Sequence, residues 1–190
     1  HTVRKLEDFS ELGYDIYFTP NPLSYKRRLK RTVKEIRYLV IEADDIPIEE
    51  QFLFSETIKR NLRAIVFSGN RSLHMYLPIL PPIRNPYALY GKDYRQIDRI
   101  VADQEPPCDI PEFSSLVEDW KRFLSDYSFK YDQRTVSTNF ARYFRVPFFP
   151  NHTTGKLVDV CFVDVEFDNR DRQFLKICTT PNTIAVDPSG

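Results

Sequence analysis

The sequence predicts a mixed α+β domain, on three observations. Apolar runs of strand length sit close together with a tight turn between them: Ala64–Ser68 and Ser72–Leu77 flank Gly69-Asn70-Arg71, which reads as a hairpin. Segments with apolar residues every third or fourth place read as helices, above all Ser114–Tyr127 with Leu116, Val117, Trp120, Phe123 and Leu124 inward. The 14 prolines fall mostly at punctuating positions and only five glycines are present, which argues against long floppy loops. Strands paired in hairpins, with helices packed on the sheets, give an α+β architecture.

Taken in order, the chain begins irregularly and then forms a short strand at Tyr14–Thr19, closed by Pro20-Asn21-Pro22. Ser24 is placed to cap a basic helix from about Tyr25 to Arg37, with Leu29, Val33 and Ile36 on its apolar face. Tyr38–Ala43 is the next strand. Asp45 caps a helix with Pro47 in its first turn, and Phe52, Phe54 and Ile58 are available for burial. After the hairpin, the Pro-rich Pro78–Pro86 reads as a loop, followed by helices over about Lys92–Asp103 and Ser114–Tyr127. A short helix starting at Ser137 or Thr138 ends before Pro147, and Leu157–Val165 and Gln173–Thr179 are late strands.

At 190 residues a single domain is expected, large enough to bury most of the surface that its unfolded chain exposes. Apolar residues make up 42%, with 15 Phe and 11 Tyr, so the chain is globular rather than disordered. The net charge is zero but unevenly spread. Residues 1–40 hold nine Lys/Arg against five Asp/Glu (+4), and residues 101–130 hold three against seven (−4). A domain polarised in this way can still present a basic groove. Cys108, Cys161 and Cys178 have no C-x-x-C spacing, which speaks against a disulfide framework or a structural zinc site. No apolar run approaches membrane-spanning length and no signal peptide is visible, so a reduced, intracellular (cytoplasmic) and soluble protein without a membrane partner is expected. The start at His1 and the end at Pro188-Ser189-Gly190 are read as a domain cut from a longer protein.

The chemistry concentrates in two strand segments. In Leu39-Val40-Ile41-Glu42-Ala43-Asp44 and Ser72-Leu73-His74, polar residues stand at i and i+2, which share one face of a strand. Hard divalent cations prefer oxygen ligands, and Glu42 and Asp44 supply them compactly. Three apolar residues precede Glu42, which reads as a buried central strand, where carboxylates are costly unless paired or metal-bound. Ser72 and His74 form a candidate phosphate-holding pair, with Arg71 in the turn beside them. Arg142 and Arg145, spaced i, i+3, share the face of the expected helix and suit bidentate phosphate contact. The run Lys26, Arg27, Arg28, Lys30 and Arg31, with Lys34, is a candidate contact for nucleic-acid phosphates. Tyr17 and Phe18 are candidates for base stacking.

In sequence order, Glu42-Ala43-Asp44, Ser72-Leu73-His74, Phe129-Lys130-Tyr131-Asp132, Arg142-Tyr143-Phe144-Arg145-Val146-Pro147 and Asn151-His152-Thr153-Thr154-Gly155-Lys156 resemble the motifs of the archaeo-eukaryotic primase (AEP) superfamily. Those are an hhhDhD/E strand, an S-x-H strand, a third apolar stretch ending in a carboxylate, and an R-x-x-R-h-P run followed by a polar loop. The resemblance covers roughly residues 15–160 and is nearest to the primase-polymerases of plasmids, phages and CRISPR-associated loci. It implies an AEP catalytic core: an RRM-like antiparallel sheet packed with helices, a smaller αβ subdomain, and an active-site cleft between them. It implies template-directed nucleotidyl transfer from NTPs or dNTPs onto a primer strand. Two Mg²⁺ or Mn²⁺ ions would be held by Glu42, Asp44 and Asp132, with Ser72, His74, Arg142, Arg145, Asn151 and Lys156 on the nucleotide. The implied partners are a single-stranded DNA template, the primer, and a fused or associated helicase or other replication domain. Two departures stand out: Glu42 replaces the usual Asp, and Phe148-Phe149 replace the Gly-Ser that usually follows R-h-P. Two rival functions remain open, a non-catalytic nucleic-acid-binding module with the same fold and a metal-dependent nuclease.

Overall fold

The computed structural model describes residues 2–90, 94–99 and 105–164. The chain divides into two compact units, each assembled from separate stretches of sequence.

The first unit comprises His1–Phe18, Ile46–Tyr76 and Phe144–Gly190. It starts with helix α1 (Thr2–Glu11), where the sequence reads as irregular. The signal for α1 lies at its end. Gly13 adopts φ +86°, its N–H donates to Ser10 O at 2.9 Å and Tyr14 N–H reaches back to Phe9 O at 3.1 Å, a glycine C-cap. Strand β1 (Tyr17–Phe18) pairs antiparallel with β5 (Phe144–Arg145). Helix α2 (Ile48–Ile58) starts at an N-cap supplied by Pro47, not Asp45, with no side chain closing the cap. The hairpin forms as expected. β3 (Ala64–Phe67) pairs with the first residues of β4 (Leu73–Arg84) in the register Phe67↔Leu73, Val66↔His74, Ile65↔Met75 and Ala64↔Tyr76. The other side of β3 pairs with β6 (Asp159–Val163), within the predicted Leu157–Val165 strand. Ile58, Leu62, Ala64, Ile65, Val66, Leu73, Met75 and Tyr76 are buried in this unit.

The second unit comprises Thr19–Asp45 and Leu77–Tyr143. Here the expected basic helix does not form. Residues 24–27 bend, Lys30–Thr32 make a single 3-10 turn, and β2 (Glu35–Ile41) begins directly after it. Local and distant side chains take the groups that a helix would pair. Thr32 Oγ1 donates to Arg27 O and Leu29 O and accepts from Leu29 N–H. Ser24 Oγ bonds Thr32 O and Leu89 O instead of capping, and the Glu105 carboxylate accepts the Lys30 and Arg31 N–H groups. Thr competing for its own backbone disfavours helix interiors.

The segment read as a Pro-rich loop continues β4 through Pro78, Pro81 and Pro82 to Arg84. The β3 register stops at Tyr76, so on the β3 side these prolines have no ladder partner to lose. Strand order is β2-β4-β3-β6, which puts β2 at the end of the described sheet and not in a central position, although Tyr38–Ile41 are buried. Helix α3 (Tyr94–Arg99) covers the described middle of the predicted Lys92–Asp103 helix. α4 (Pro111–Asp126) starts three residues before the expected Ser114–Tyr127 helix, with Pro111 in its first turn; Phe113, Val117 and Leu124 are buried, whereas Leu116, Trp120 and Phe123 are only half-buried. No helix forms at Ser137 or Thr138; residues 133–141 are turns and bends. The expected strand at Gln173–Thr179 lies outside the described residues.

Candidate functional site

The predicted site residues fall into two groups, one in each unit. In the second unit, β2 ends at Ile41, so Glu42 and Asp44 leave the strand on its exit turn instead of projecting from it. Asp132 lies beside them, its N–H donating to Glu42 O at 2.7 Å. Its own carbonyl accepts from Thr135 N–H (2.9 Å) and Thr135 Oγ1 (2.7 Å), which fixes the turn. Arg134 faces this group. Its Nε and backbone N–H both donate to Asp132 Oδ1, at 3.0 and 2.9 Å.

Burial pushes the Asp132 carboxyl up, but the Arg134 hydrogen bonds and the charges of Arg134 and Arg142 outweigh it and hold the group below the ordinary carboxylate range. Arg134 is held protonated still more firmly, first by its hydrogen bond to Asp132 and then by the charges of Asp132, Asp44 and Glu42. One guanidinium therefore senses all three candidate metal ligands. In kind the donor set suits a hard divalent ion. Among the described residues, however, no three His, Cys, Asp or Glu side chains converge as a cation cage.

Asn21 carries no motif and holds this region together. Buried between β2 and the 140 loop, its Oδ1 accepts from Arg37 N–H (2.7 Å) and Tyr38 N–H (3.0 Å). Its Nδ2 donates to Tyr38 O (3.3 Å) and Phe140 O (3.0 Å). Every hydrogen-bonding position of the amide is used. Beyond it opens a cavity of about 650 Å³ lined by Arg28, Arg134, Ser137, Asn139, Arg142 and Tyr143, among others. The basic run contributes unequally. Arg28 lies over the Tyr143 ring at 4.1 Å, Arg27 donates to Ile97 O and Asp98 O at the end of α3, and Lys30 sits over Phe140.

In the first unit, Ser72 and His74 are buried at the start of β4, and the His74 ring meets Phe144 edge-on at 5.1 Å. The turn before them is tied internally: Ser68 N–H donates to Ser72 O at 2.9 Å, and the Ser68 and Ser72 hydroxyls are 3.0 Å apart. Buried Gln51 on α2 pins it from below, donating to Ile46 O and Arg71 O and accepting Leu73 N–H at 2.7 Å. Residues 151–156 fold onto the same turn. Asn151 Nδ2 donates to Ser68 O at 3.2 Å, its Oδ1 accepts Thr153 N–H, and Thr154 Oγ1 donates to Gly69 O. Asn151 is thus buried as the clasp of the loop that carries exposed Lys156.

Arg142 and Arg145 do not share a helix face. Arg145 lies on β5 and Arg142 precedes it outside any helix or strand, and the two belong to different units. Arg145 ion-pairs with Asp15 and lies over the Tyr17 ring, while Asp15 also accepts His152 N–H at 3.0 Å. The Arg145 hydrogen bond is the chief cause that holds the Asp15 carboxyl below its ordinary range. The sequence spacing signalled none of Asp15, Asn21, Gln51 and Arg134 as part of these clusters.

No protein-family model matches the chain, and no curated protein does. Among solved structures, the AEP domain of the cyanophage S-2L primase-polymerase superposes with a TM-score of 0.56 at 15% identity, covering 92% of this chain and 75% of that one. The chain therefore has the fold of an AEP primase-polymerase domain, the α+β class that the sequence predicts. Among the described residues, no helix is long and apolar enough to cross a membrane.

Proposed function

We propose that this domain carries out template-directed nucleotidyl transfer, extending a primer strand from nucleoside triphosphates. The observation that carries the reading is the carboxylate group at the exit of β2, where Asp132 is bonded through its backbone to Glu42 and Arg134 answers all three acidic side chains, on a primase-polymerase fold. Glu42, Asp44 and Asp132 would hold divalent ions, which when bound activate the attacking 3′-hydroxyl and neutralise the triphosphate. Ser72 and His74, held rigid by Gln51 and the 151–156 clasp, are the proposed phosphate contacts, with Lys156 as an exposed point charge beside them. In-line attack by a hydroxyl requires no covalent enzyme intermediate, so positioning and charge do the work. Arg134 must yield Asp132 Oδ1 before that oxygen serves any other partner, which makes Arg134 a positioning residue.

One observation favours a second reading. With Asp132 engaged by Arg134 and no three ligands converging among the described residues, a nucleic-acid-binding module of the same fold is the alternative. Primer extension on a primed single-stranded template, with Mg²⁺ or Mn²⁺ and labelled NTP or dNTP, separates the two. The wild type is expected to extend the primer with at least one metal and one sugar. Strand binding with no extension under any combination overturns the enzymatic reading.

A further inference from the structure

The cavity in the second unit brings three arginines and an exposed aromatic ring together beside the Asp132 carboxylate. Arg28, Arg134 and Arg142 line it, and no Asp or Glu is among the lining residues. Arg134 spends one side-chain N–H, at Nε, on Asp132, which leaves its four terminal N–H groups. Arg142 makes no hydrogen bond or ion pair among the described residues, although it is only half exposed. Asp132 engages only the Nε edge of Arg134, so the terminal N–H groups of Arg134 and the whole Arg142 fork remain to match phosphate oxygens. The fourth wall is a flat one: Tyr143, 44% exposed, backed by the Arg28 guanidinium at 4.1 Å from its ring centroid.

We infer that this cavity is a binding subsite for single-stranded nucleic acid, in which Arg142 and Arg134 hold a backbone phosphate and Tyr143, stiffened by Arg28, stacks a base. Cations alternating with an exposed aromatic ring are what a sequence-tolerant strand site requires. The positive track runs past the cavity: Arg28 belongs to the segment that also carries exposed Lys26, and Lys30 lies over the ring of Phe140. That length suits a strand better than a single nucleotide, so Arg142 is assigned to the strand and not, as the family resemblance implies, to the incoming nucleotide. The subsite deepens the nucleotidyl-transfer proposal by placing a strand phosphate at the arginine that holds Asp132, but the binding itself requires neither metal nor catalysis.

The test is fluorescence anisotropy with a labelled oligodeoxynucleotide of about a dozen nucleotides, a length within the usual site sizes, in chelator and without nucleotide. Arg142→Gln is expected to reduce the slope of log affinity against log salt by about 0.7, the value of one single-strand phosphate contact. Tyr143→Ala is expected to weaken binding about tenfold with the slope unchanged, while Tyr143→Phe binds like the wild type. An oligonucleotide with abasic sites removes the difference between Tyr143→Ala and the wild type. Circular dichroism confirms folding, and Arg28→Ala, at an exposed position, provides an independent variant expected to weaken binding. Wild-type affinity and slope in both Arg142→Gln and Tyr143→Ala overturn the inference. So does competitive displacement of the oligonucleotide by ATP, which would make the cavity a mononucleotide site. A protein with no polymerase activity still passes this test, and an active polymerase whose variants bind normally fails it.

Discussion

Replacing Gly69 by alanine separates two contributions that the hairpin turn combines. Gly69 has φ +74°, a conformation that costs an L-residue about 1–2 kcal/mol. A Cβ at this position would also lie 2.9 Å from Asn151 Cβ and 3.0 Å from Lys156 O, so the 151–156 clasp must shift to admit it. Overpacking of that kind costs roughly 1–3 kcal/mol more. Gly155 is the internal control: its φ is +71°, but nothing lies within 4 Å of its added Cβ. Gly155→Ala therefore carries only the conformational cost. The expected destabilisation is about 2–5 kcal/mol for Gly69→Ala and about 1–2 kcal/mol for Gly155→Ala. At about 2–4 °C per kcal/mol for a chain of this size, the melting temperature of Gly69→Ala falls visibly further. Paired urea and thermal melts measure both. Equal losses in the two variants would refute the close approach of the turn to the clasp. Because the same turn positions Ser72, Gly69→Ala is also expected to raise KM for nucleotide more than it lowers kcat.

Three further outcomes are expected. Asn21→Ala leaves two buried N–H groups and two carbonyls without their partner and should lower stability by roughly 2–4 kcal/mol in urea titration, well beyond an ordinary surface substitution. Asp15 and Asp132 both have folded pKa values below 3.8, so the stability that they contribute is fully present above that value and is lost as pH falls through the lower folded values. Asp15→Asn should flatten the acid limb of the stability curve, and an unchanged limb would contradict the Arg145 pairing. Arg134→Ala removes the Nε hydrogen bond and the guanidinium charge from Asp132 Oδ1 while keeping the backbone N–H bond, which should move the Asp132 carboxyl upward in an NMR titration and tighten Mn²⁺ binding by about fivefold, on the order of one screened charge pair.

The legible parts of the fold were those set by local pattern. Apolar runs on either side of Gly69 located the hairpin, and the three-to-four spacing along α4 located that helix and its buried Val117 and Leu124. What escaped depended on partners far away in sequence. The 25–37 segment reads as an amphipathic basic helix, yet Glu105 captures the N–H groups of Lys30 and Arg31 from some 75 residues away. Prolines at 78–82 look like loop until the short β3 register shows that β3 has no ladder partner for them to lose. For the candidate site, motif order singled out Glu42 and Asp132, which lie side by side in the second unit, and the Ser72/His74 pair, which lies in the first. The i, i+3 spacing of Arg142 and Arg145 misled because it presumed a helix where none forms. Asn21 and Gln51 were invisible for a different reason: a single buried amide has no periodicity, and only its bonded neighbours reveal it.

The central claim is nucleotidyl transfer by the β2-exit carboxylates, and single-nucleotide addition tests it most directly. A labelled primer on a template with one defined next base is incubated with Mn²⁺ and the complementary nucleotide, using the wild type and a Glu42→Gln/Asp44→Asn variant that binds the strand equally well. Addition of one nucleotide by the wild type, with pyrophosphate released in equal amount and a loss of at least about a thousandfold in the variant, is the predicted result, the scale expected when a metal-holding pair is removed. Extension that survives in the variant, or a wild type that binds the strand and adds nothing, would contradict it.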